Sequence, residues 1–236
     1  MNNLQLSKRL QTIASFIRKG SFFADIGSDH AYLPTYICLH DDNAHAIASE
    51  VREGPFQLAK KTVETYDVTD RVDVRLGDGL ETIRKTDKLT EIVVAGMGGK
   101  LIEHIISNGL DKVQTVKRLI LQPNNDAIRL RQFFYEHRFQ LKDEKIIEEN
   151  GHYYEILVFD QCNATCVYDK QVNLEQQLLF GPILMKEKSK PFIKKWQKEC
   201  AKLKKIVRQM ELSKQNLQSE IDAFHKKIKW IEEVTR

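Results

Sequence analysis

The stretch FFADIGSDHAYLP, residues 22–34, constrains this chain more than any other. An apolar run, Phe22-Phe23-Ala24, leads into Asp25, Ile26 and Gly27. A strand of a parallel sheet, buried on both faces, reads this way. Gly27 lets the backbone turn sharply and approach a ligand closely. A helix is expected from about Ala31, with Ser28 and Asp29 as its capping side chains. Pro34 then falls in the first turn, where its missing N–H costs little. A strand, a glycine turn and a helix N-terminus together make a nucleotide crevice.

The ligand of that crevice is not a dinucleotide. After Gly27 the second glycine of G-x-G-x-x-G is replaced by Asp29, and no third glycine follows. A pyrophosphate would meet a carboxylate there. S-adenosylmethionine suits the site better, because its sulfonium and its ammonium are cationic and it has no phosphate; Asp25, Gly27, Ser28, Asp29 and His30 are assigned to it. The bland alternative is an ordinary strand–turn–helix with surface acids.

Further strands follow at α/β spacing. Ala44–Glu50 reads as the second strand and ends in Glu50, 23 residues after Gly27. An acid at such an offset accepts hydrogen bonds from ribose hydroxyls. Glu50 and the adjoining Val51 are therefore assigned to the cofactor, the alternative being a first-turn acid of the following helix. Val72–Leu76 is a third strand ending in Gly77-Asp78-Gly79. Asp78 is a candidate acceptor for the adenine amino group, with Gly79 beside it, although Asp is also a common turn residue. Ile92–Ala95 is a fourth strand before Gly96-Met97-Gly98-Gly99, and Gly96 and Met97 are assigned to the cofactor floor. Arg118–Gln122 is a fifth. Two apolar runs, Phe139–Ile147 and Tyr153–Phe159, flank Asn150-Gly151, a hairpin signal. Alternating helices and strands that end in an antiparallel hairpin match an α/β, class I methyltransferase sheet. Before all of this, Leu4, Leu6, Leu10, Ile13, Ala14 and Ile17 predict a leading helix closed by Gly20.

The motifs DIGSDHAYLP, EVREGPFQLA, GDGL, AGMGG and LQPN occur here in that order. In this the chain resembles, over nearly its whole length, the bacterial tRNA (adenine-N1)-methyltransferase family that modifies position 22 of tRNA. DIGSDHAYLP and AGMGG are the specific signatures; GDGL is common among methyltransferases. The resemblance implies the sheet order of a class I methyltransferase, S-adenosyl-L-methionine as cofactor, tRNA as substrate and methyl transfer to N1 of an adenine. Asp29 is the first catalytic candidate, accepting a hydrogen from the adenine amino group; it could instead cap a helix or hold the cofactor ammonium. Asn124, from LQPN, is the second, for base orientation. His30 and Tyr32 could contact cofactor or base, and Arg9 could touch RNA. A methyltransferase of another base or small molecule, and a non-catalytic RNA-binding adaptor on the same fold, are the competing readings.

Charge is unevenly distributed. Residues 186–236 hold 15 Lys and Arg against 7 Asp and Glu, a net of +8, while the preceding 185 residues net −4. The C-terminal segment is thus the one that faces a polyanion, or else a solvated helical surface. Lys194, Lys195, Lys198, Lys202, Lys204 and Lys205 are assigned to tRNA phosphates. Trp196, Cys200, Leu203, Val207 and Met210 form one seam, and Leu217, Ile221, Phe224, Ile228 and Ile231 another. One continuous helix would run about 65 Å and need a partner chain. A coiled-coil hairpin turning near residues 211–214 buries both seams within one chain and is preferred, which makes the chain a monomer. A methyltransferase domain over residues 1–162 and a helical domain over 163–236 are expected.

Cys162 and Cys166 lack the second pair or the histidines of a zinc set, so no metal is expected. The 42% hydrophobic content supports a sizeable core. No apolar run approaches membrane-spanning length, and MNNLQLSKRL is unlike a signal peptide, so a cytoplasmic protein is expected.

Overall fold

The apolar runs of the first 160 residues pair into one sheet. A computed structural model describes residues 4–137, 139–161, 167–212 and 217–236. In chain order it contains α1 (Lys8–Ala14), β1 (Phe22–Ile26), α2 (Tyr32–His40), β2 (His45–Glu50), α3 (Glu53–Thr65), β3 (Val72–Leu76), a 3₁₀ turn (Gly79–Thr82), β4 (Glu91–Gly98), α4 (Gly99–Asn108), α5 (Leu110–Val113), β5 (Arg118–Asn125), α6 (Ala127–Glu136), β6 (Gln140–Glu149) and β7 (His152–Asp160). After these come α7 (Leu174–Phe180), α8 (Pro182–Glu187), α9 (Lys190–Glu211) and α10 (Gln218–Val234).

The seven strands lie in the order β3-β2-β1-β4-β5-β7-β6. β1 pairs in parallel with both β2 and β4. From β1 the chain winds outward through β2 and β3, then returns to the far side of β1 as β4. That reversal is a topological switch point, where α/β sheets open a crevice at the carboxyl ends of their strands. β7 runs antiparallel to β5. The β6–β7 turn is Asn150-Gly151, with φ of 51° and 77°. Two successive positive φ angles are what the two-residue hairpin turn expected there requires. Arg131 of α6, fully buried, pins the hairpin by pairing with Glu144 of β6 at 2.6 Å and Glu155 of β7 at 2.5 Å.

Two local expectations are corrected. The leading helix is only Lys8–Ala14; Ser7 caps it by accepting from the Leu10 N–H at 3.2 Å, so Leu4 and Leu6 are buried ahead of the helix. Ser28 and Asp29 do not cap α2. The helix is entered through three successive left-handed residues, Asp29, His30 and Ala31, with φ of 49°, 68° and 58°. The hydroxyl of Ser28 is instead donated to Asp25.

The chain divides into two units, Met1–Lys145 with Tyr154–Val167, and Ile146–Tyr153 with Tyr168–Arg236. The expected boundary at 162/163, and Cys162 and Cys166, lie outside the described residues. In the second unit Asn173 caps α7, and Gly181-Pro182 separates α7 from α8. α9 and α10 are separate helices that share a core. Trp196, Cys200, Leu203 and Val207 of the first seam and Ile221, Ile228 and Ile231 of the second are buried in one cluster, with Met210, Leu217 and Phe224 packed against it. Lys204 pairs with Glu232 at 2.6 Å across the two helices. Residues 213 and 214 of the expected turn lie outside the described residues. Among those described, no helix is long and apolar enough to cross a membrane.

Candidate active site

The switch point holds a cleft of about 320 Å³, lined by Arg9, Leu10, Asp25, Gly27, Ser28, Asp29, Ala95, Gly96, Met97, Asn124 and Tyr154. The carboxyl ends of β1 and β4 supply its floor. Gly27 has φ of +69°, and a Cβ there would lie 2.2 Å from the Met97 methyl carbon. Any side chain at this position would therefore be strained and also collide with Met97.

Asp25 lies beneath this turn and is 4% exposed. Burial raises its carboxyl to about 7, and the nearby Glu50 and Asp29 charges add to the rise. The Ser28 hydroxyl, donating to Asp25 Oδ2 at 2.6 Å, and the Arg9 guanidinium oppose it. Glu50, at the end of β2, is also buried, and burial raises its carboxyl too. Its Oε1 accepts the His30 N–H at 3.2 Å. The left-handed run therefore has a structural use: it turns a backbone donor onto Glu50 and leaves Asp29 facing outward. The Asp29 side chain is 82% exposed and lies 3.4 Å from His30 Nε2.

Opposite the glycine turn is an amide network. Gln122 Oε1 accepts from Arg9 Nη1 at 2.7 Å and from the Gly96 N–H at 3.1 Å. Gln122 Nε2 donates to Asn124 Oδ1 at 3.2 Å, and Asn124 Nδ2 donates to the Gly96 carbonyl at 2.7 Å. Arg9 also lies over the Tyr154 ring, 5.7 Å from its centroid.

Of the residues assigned from sequence, Arg9, Asp25, Gly27, Ser28, Asp29, Gly96, Met97 and Asn124 line this one cleft. Glu50 is tied to it through His30. His30 and Tyr32, whose rings meet edge-on at 5.7 Å, line an adjacent cavity of about 330 Å³ with residues of α3. Val51, 60% exposed, and Asp78 with Gly79 lie at the ends of β2 and β3, outside the cleft lining. The lysines are on α9 of the second unit. Lys194 pairs with Glu148 at 3.0 Å and Lys204 with Glu232, and Lys195 lies over the Trp196 ring. Lys202 is 3.9 Å from Glu199. Lys198 and Lys205 are exposed and have no carboxylate partner among the described residues. Sequence reading missed Tyr154 and Gln122, which stood inside apolar strands. The only signal for Gln122 was its place two residues before Asn124 in LQPN. No cluster of three or more metal-ligating side chains occurs among the described residues.

Comparison with known proteins agrees with this geometry. The sequence profile of the family described as tRNA (adenine(22)-N(1))-methyltransferase matches residues 23–233. A Bacillus subtilis protein of that description is 47% identical over 210 residues, covering 89% of this chain and 87% of its own length. The crystal structure of the B. subtilis m1A22 tRNA methyltransferase superposes with a TM-score of 0.90 at 42% identity, covering 99% of this chain and 100% of that one. A Streptococcus pneumoniae homologue solved in complex with S-adenosyl-L-methionine superposes at 0.87, 40% identical, covering 98% of this chain and 100% of its own.

Proposed function

The chain belongs to the tRNA (adenine(22)-N(1))-methyltransferase family, and we infer from this how its cleft divides the work of the reaction. The enzyme transfers a methyl group from S-adenosyl-L-methionine to N1 of adenine 22 in tRNA. The observation that carries this reading is the cleft at the β1–β4 switch point, lined by Gly27, the buried Asp25 and the exposed Asp29, with the buried Glu50 bonded to the His30 N–H beside it.

The residues fit that cofactor. Gly27 makes the tight turn at the end of β1 and lets the Met97 methyl pack against it, where a Cβ would collide. Asp25 and Glu50 present acceptors to a ligand that is cationic and has no phosphate. When bound, S-adenosylmethionine supplies a methyl group activated by its sulfonium. N1 of adenine has an available lone pair, so no residue has to remove a proton before attack. The product ring is cationic, so the protein contributes alignment and negative charge facing the ring. Asp29, exposed at the rim of the glycine turn, accepts a hydrogen from the adenine amino group and balances that charge. Asn124, held by Gln122 and Gly96, orients the base.

N1 lies on the Watson–Crick edge, so the adenine has to leave its stack at a cost of a few kcal/mol. Phosphate contacts elsewhere offset this, and α9 supplies them. Lys198, Lys202 and Lys205 recur at intervals of four and three and are exposed. Lys194 and Lys204 hold carboxylates at 3.0 and 2.6 Å, whereas the Lys202 contact with Glu199 is longer, 3.9 Å. Neutralising Lys198, Lys202 and Lys205 together should lower the log–log salt slope of tRNA binding by about 2–3, at roughly 0.7–0.9 per phosphate. Titrations between 50 and 200 mM salt measure it, and an unchanged slope rejects the contact. That the seams of α9 and α10 are buried in one cluster within the chain supports reading the enzyme as a monomer. Its tRNA substrate assigns it to the cytoplasm.

The direct test is transfer from labelled S-adenosylmethionine to unmodified tRNA, with the product nucleotide mapped. Label at N1 of adenine 22, lost when that adenine is replaced, is the expected result. Label elsewhere would reassign the acceptor.

A further inference from the structure

We propose that the cavity between the start of α2 and the outer face of α3 seats the base of a nucleotide flanking adenine 22 in the tRNA. This rests on the reading of the chain as the methyltransferase of that adenine.

The reaction creates the need. Extruding adenine 22 strips its neighbours of a stacking partner. An aromatic side chain beside the cleft replaces that partner, since unstacked RNA bases are held on tyrosine rings. The cavity adjoins the cleft along the chain: Asp29 lines the cleft, and His30, the next residue, lines the cavity. Its volume, about 330 Å³, is close to the 320 Å³ of the cleft.

The walls suit a base. The left-handed entry into α2 brings the His30 and Tyr32 rings together edge-on at 5.7 Å, so His30 covers at most one face of Tyr32. Across from them, Leu58, Lys61, Thr62 and Thr65 form one stripe of α3, and Tyr66 follows at its end. Tyr32 is 40% exposed and Leu58 49%, one large apolar side chain left to water on each wall of the same cavity. The Thr62 and Thr65 hydroxyls donate to the Leu58 and Lys61 carbonyls at 3.0 and 2.6 Å. Their oxygens remain as acceptors, which match the amino and imino hydrogens of a base. No carboxylate lines the cavity among the described residues, and Lys61 is exposed at its edge, where it meets the phosphate that accompanies the base.

A cycle between protein and RNA, run on the full chain, tests this. Affinity is measured for unmodified tRNA and for transcripts made abasic on one or the other side of adenine 22. Cofactor affinity is followed by calorimetry. Tyr32→Ala should weaken binding of intact tRNA about tenfold, the scale of one stacked base, with cofactor affinity within about twofold of wild type. One of the two abasic transcripts should bind wild type about tenfold more weakly, yet bind Tyr32→Ala no worse than intact tRNA does. Tyr32→Phe keeps the ring and should bind as wild type. No loss from either abasic site, or losses additive with Tyr32→Ala at both, would overturn the proposal. So would a parallel loss of cofactor affinity and thermal stability in Tyr32→Ala, which would give the ring a structural role. Leu58→Glu probes the same cavity from an exposed helix position. It should weaken tRNA binding about tenfold without changing the melting temperature; wild-type affinity in this variant would refute the proposed seat. The underlying reading fails separately: wild type would methylate a nucleotide other than adenine 22, whatever the outcome of the cycle.

Discussion

Replacing Asp29 by alanine should lower turnover on tRNA by about 10³-fold, the scale seen when a group facing developing charge is removed. Affinity for S-adenosylmethionine should change by less than about threefold. The Asp29 side chain is mostly exposed, whereas Asp25 and Glu50 are buried, and the two effects are expected to separate accordingly. On the proposed reading Asp25 and Glu50 serve the cofactor, and Asp29 serves the incoming base. Backbone strain has to be controlled, because Asp29 sits at φ of 49° and alanine tolerates that region less well than aspartate. Asp29→Gly is the matching variant, since glycine accepts the angle and removes the same carboxylate. Both should lose turnover alike, while Asp29→Gly melts at or above the wild-type temperature. Asp29→Asn keeps an acceptor without the charge and should fall between wild type and alanine. If all three lose cofactor affinity in step with turnover, Asp29 is a cofactor ligand and not a catalytic group.

What the sequence disclosed, and what it hid, follows from the range of the forces involved. β3 was legible at both ends, and β1 nearly so, because an apolar run between a turn and a glycine has few other places to go. Gly27 was legible as a sharp turn, and the structure places it at φ of +69° against Met97. β4 and β5 run three residues past their expected ends, since Met97 pairs with Pro123 and Gly98 with Asn125 across register shifts. Residues that read as loop are thus strand because a neighbour gives them partners. The start of α2 was misread for a related reason. Ser28 is a good cap by type, but a buried carboxylate three residues earlier takes its hydroxyl. Gln122 was hidden altogether, because its partner Arg9 lies 113 residues away and no periodicity registers such a pair.

Asp25 should make the ligand-free enzyme less stable and the cofactor complex tighter, both as pH rises. Its carboxyl titrates at about 7 in the folded chain against 3.8 ordinarily. Between those values the folded state keeps a proton that the unfolded state has released. Stability from this group therefore declines as pH rises through that interval and is flat above it. Asp25→Asn removes the penalty, which is on the order of 2–4 kcal/mol at pH 8. The ligand-free variant should melt several degrees higher there, and the advantage should shrink as pH falls toward 4. Cofactor binding responds in the opposite sense. A cationic ligand favours the ionised carboxylate, so wild-type affinity should climb between pH 6 and 7 by up to about tenfold per unit. An α-ammonium titrates near 7.7–8.0, so the climb should give way to a fall, and the profile is bell-shaped. In Asp25→Asn affinity at pH 7.5 should drop about 10–100-fold, the worth of a hydrogen bond to a charged group. The steep acid limb should disappear, leaving the shallower contribution of Glu50, whose carboxyl is also raised by burial. Melting curves and calorimetric titrations of both proteins from pH 5.5 to 8.5 decide the matter. A flat wild-type affinity profile, or a variant that melts lower than wild type at pH 8, would show that the buried carboxylate stays ionised without the cofactor and that the trade between stability and binding lies elsewhere.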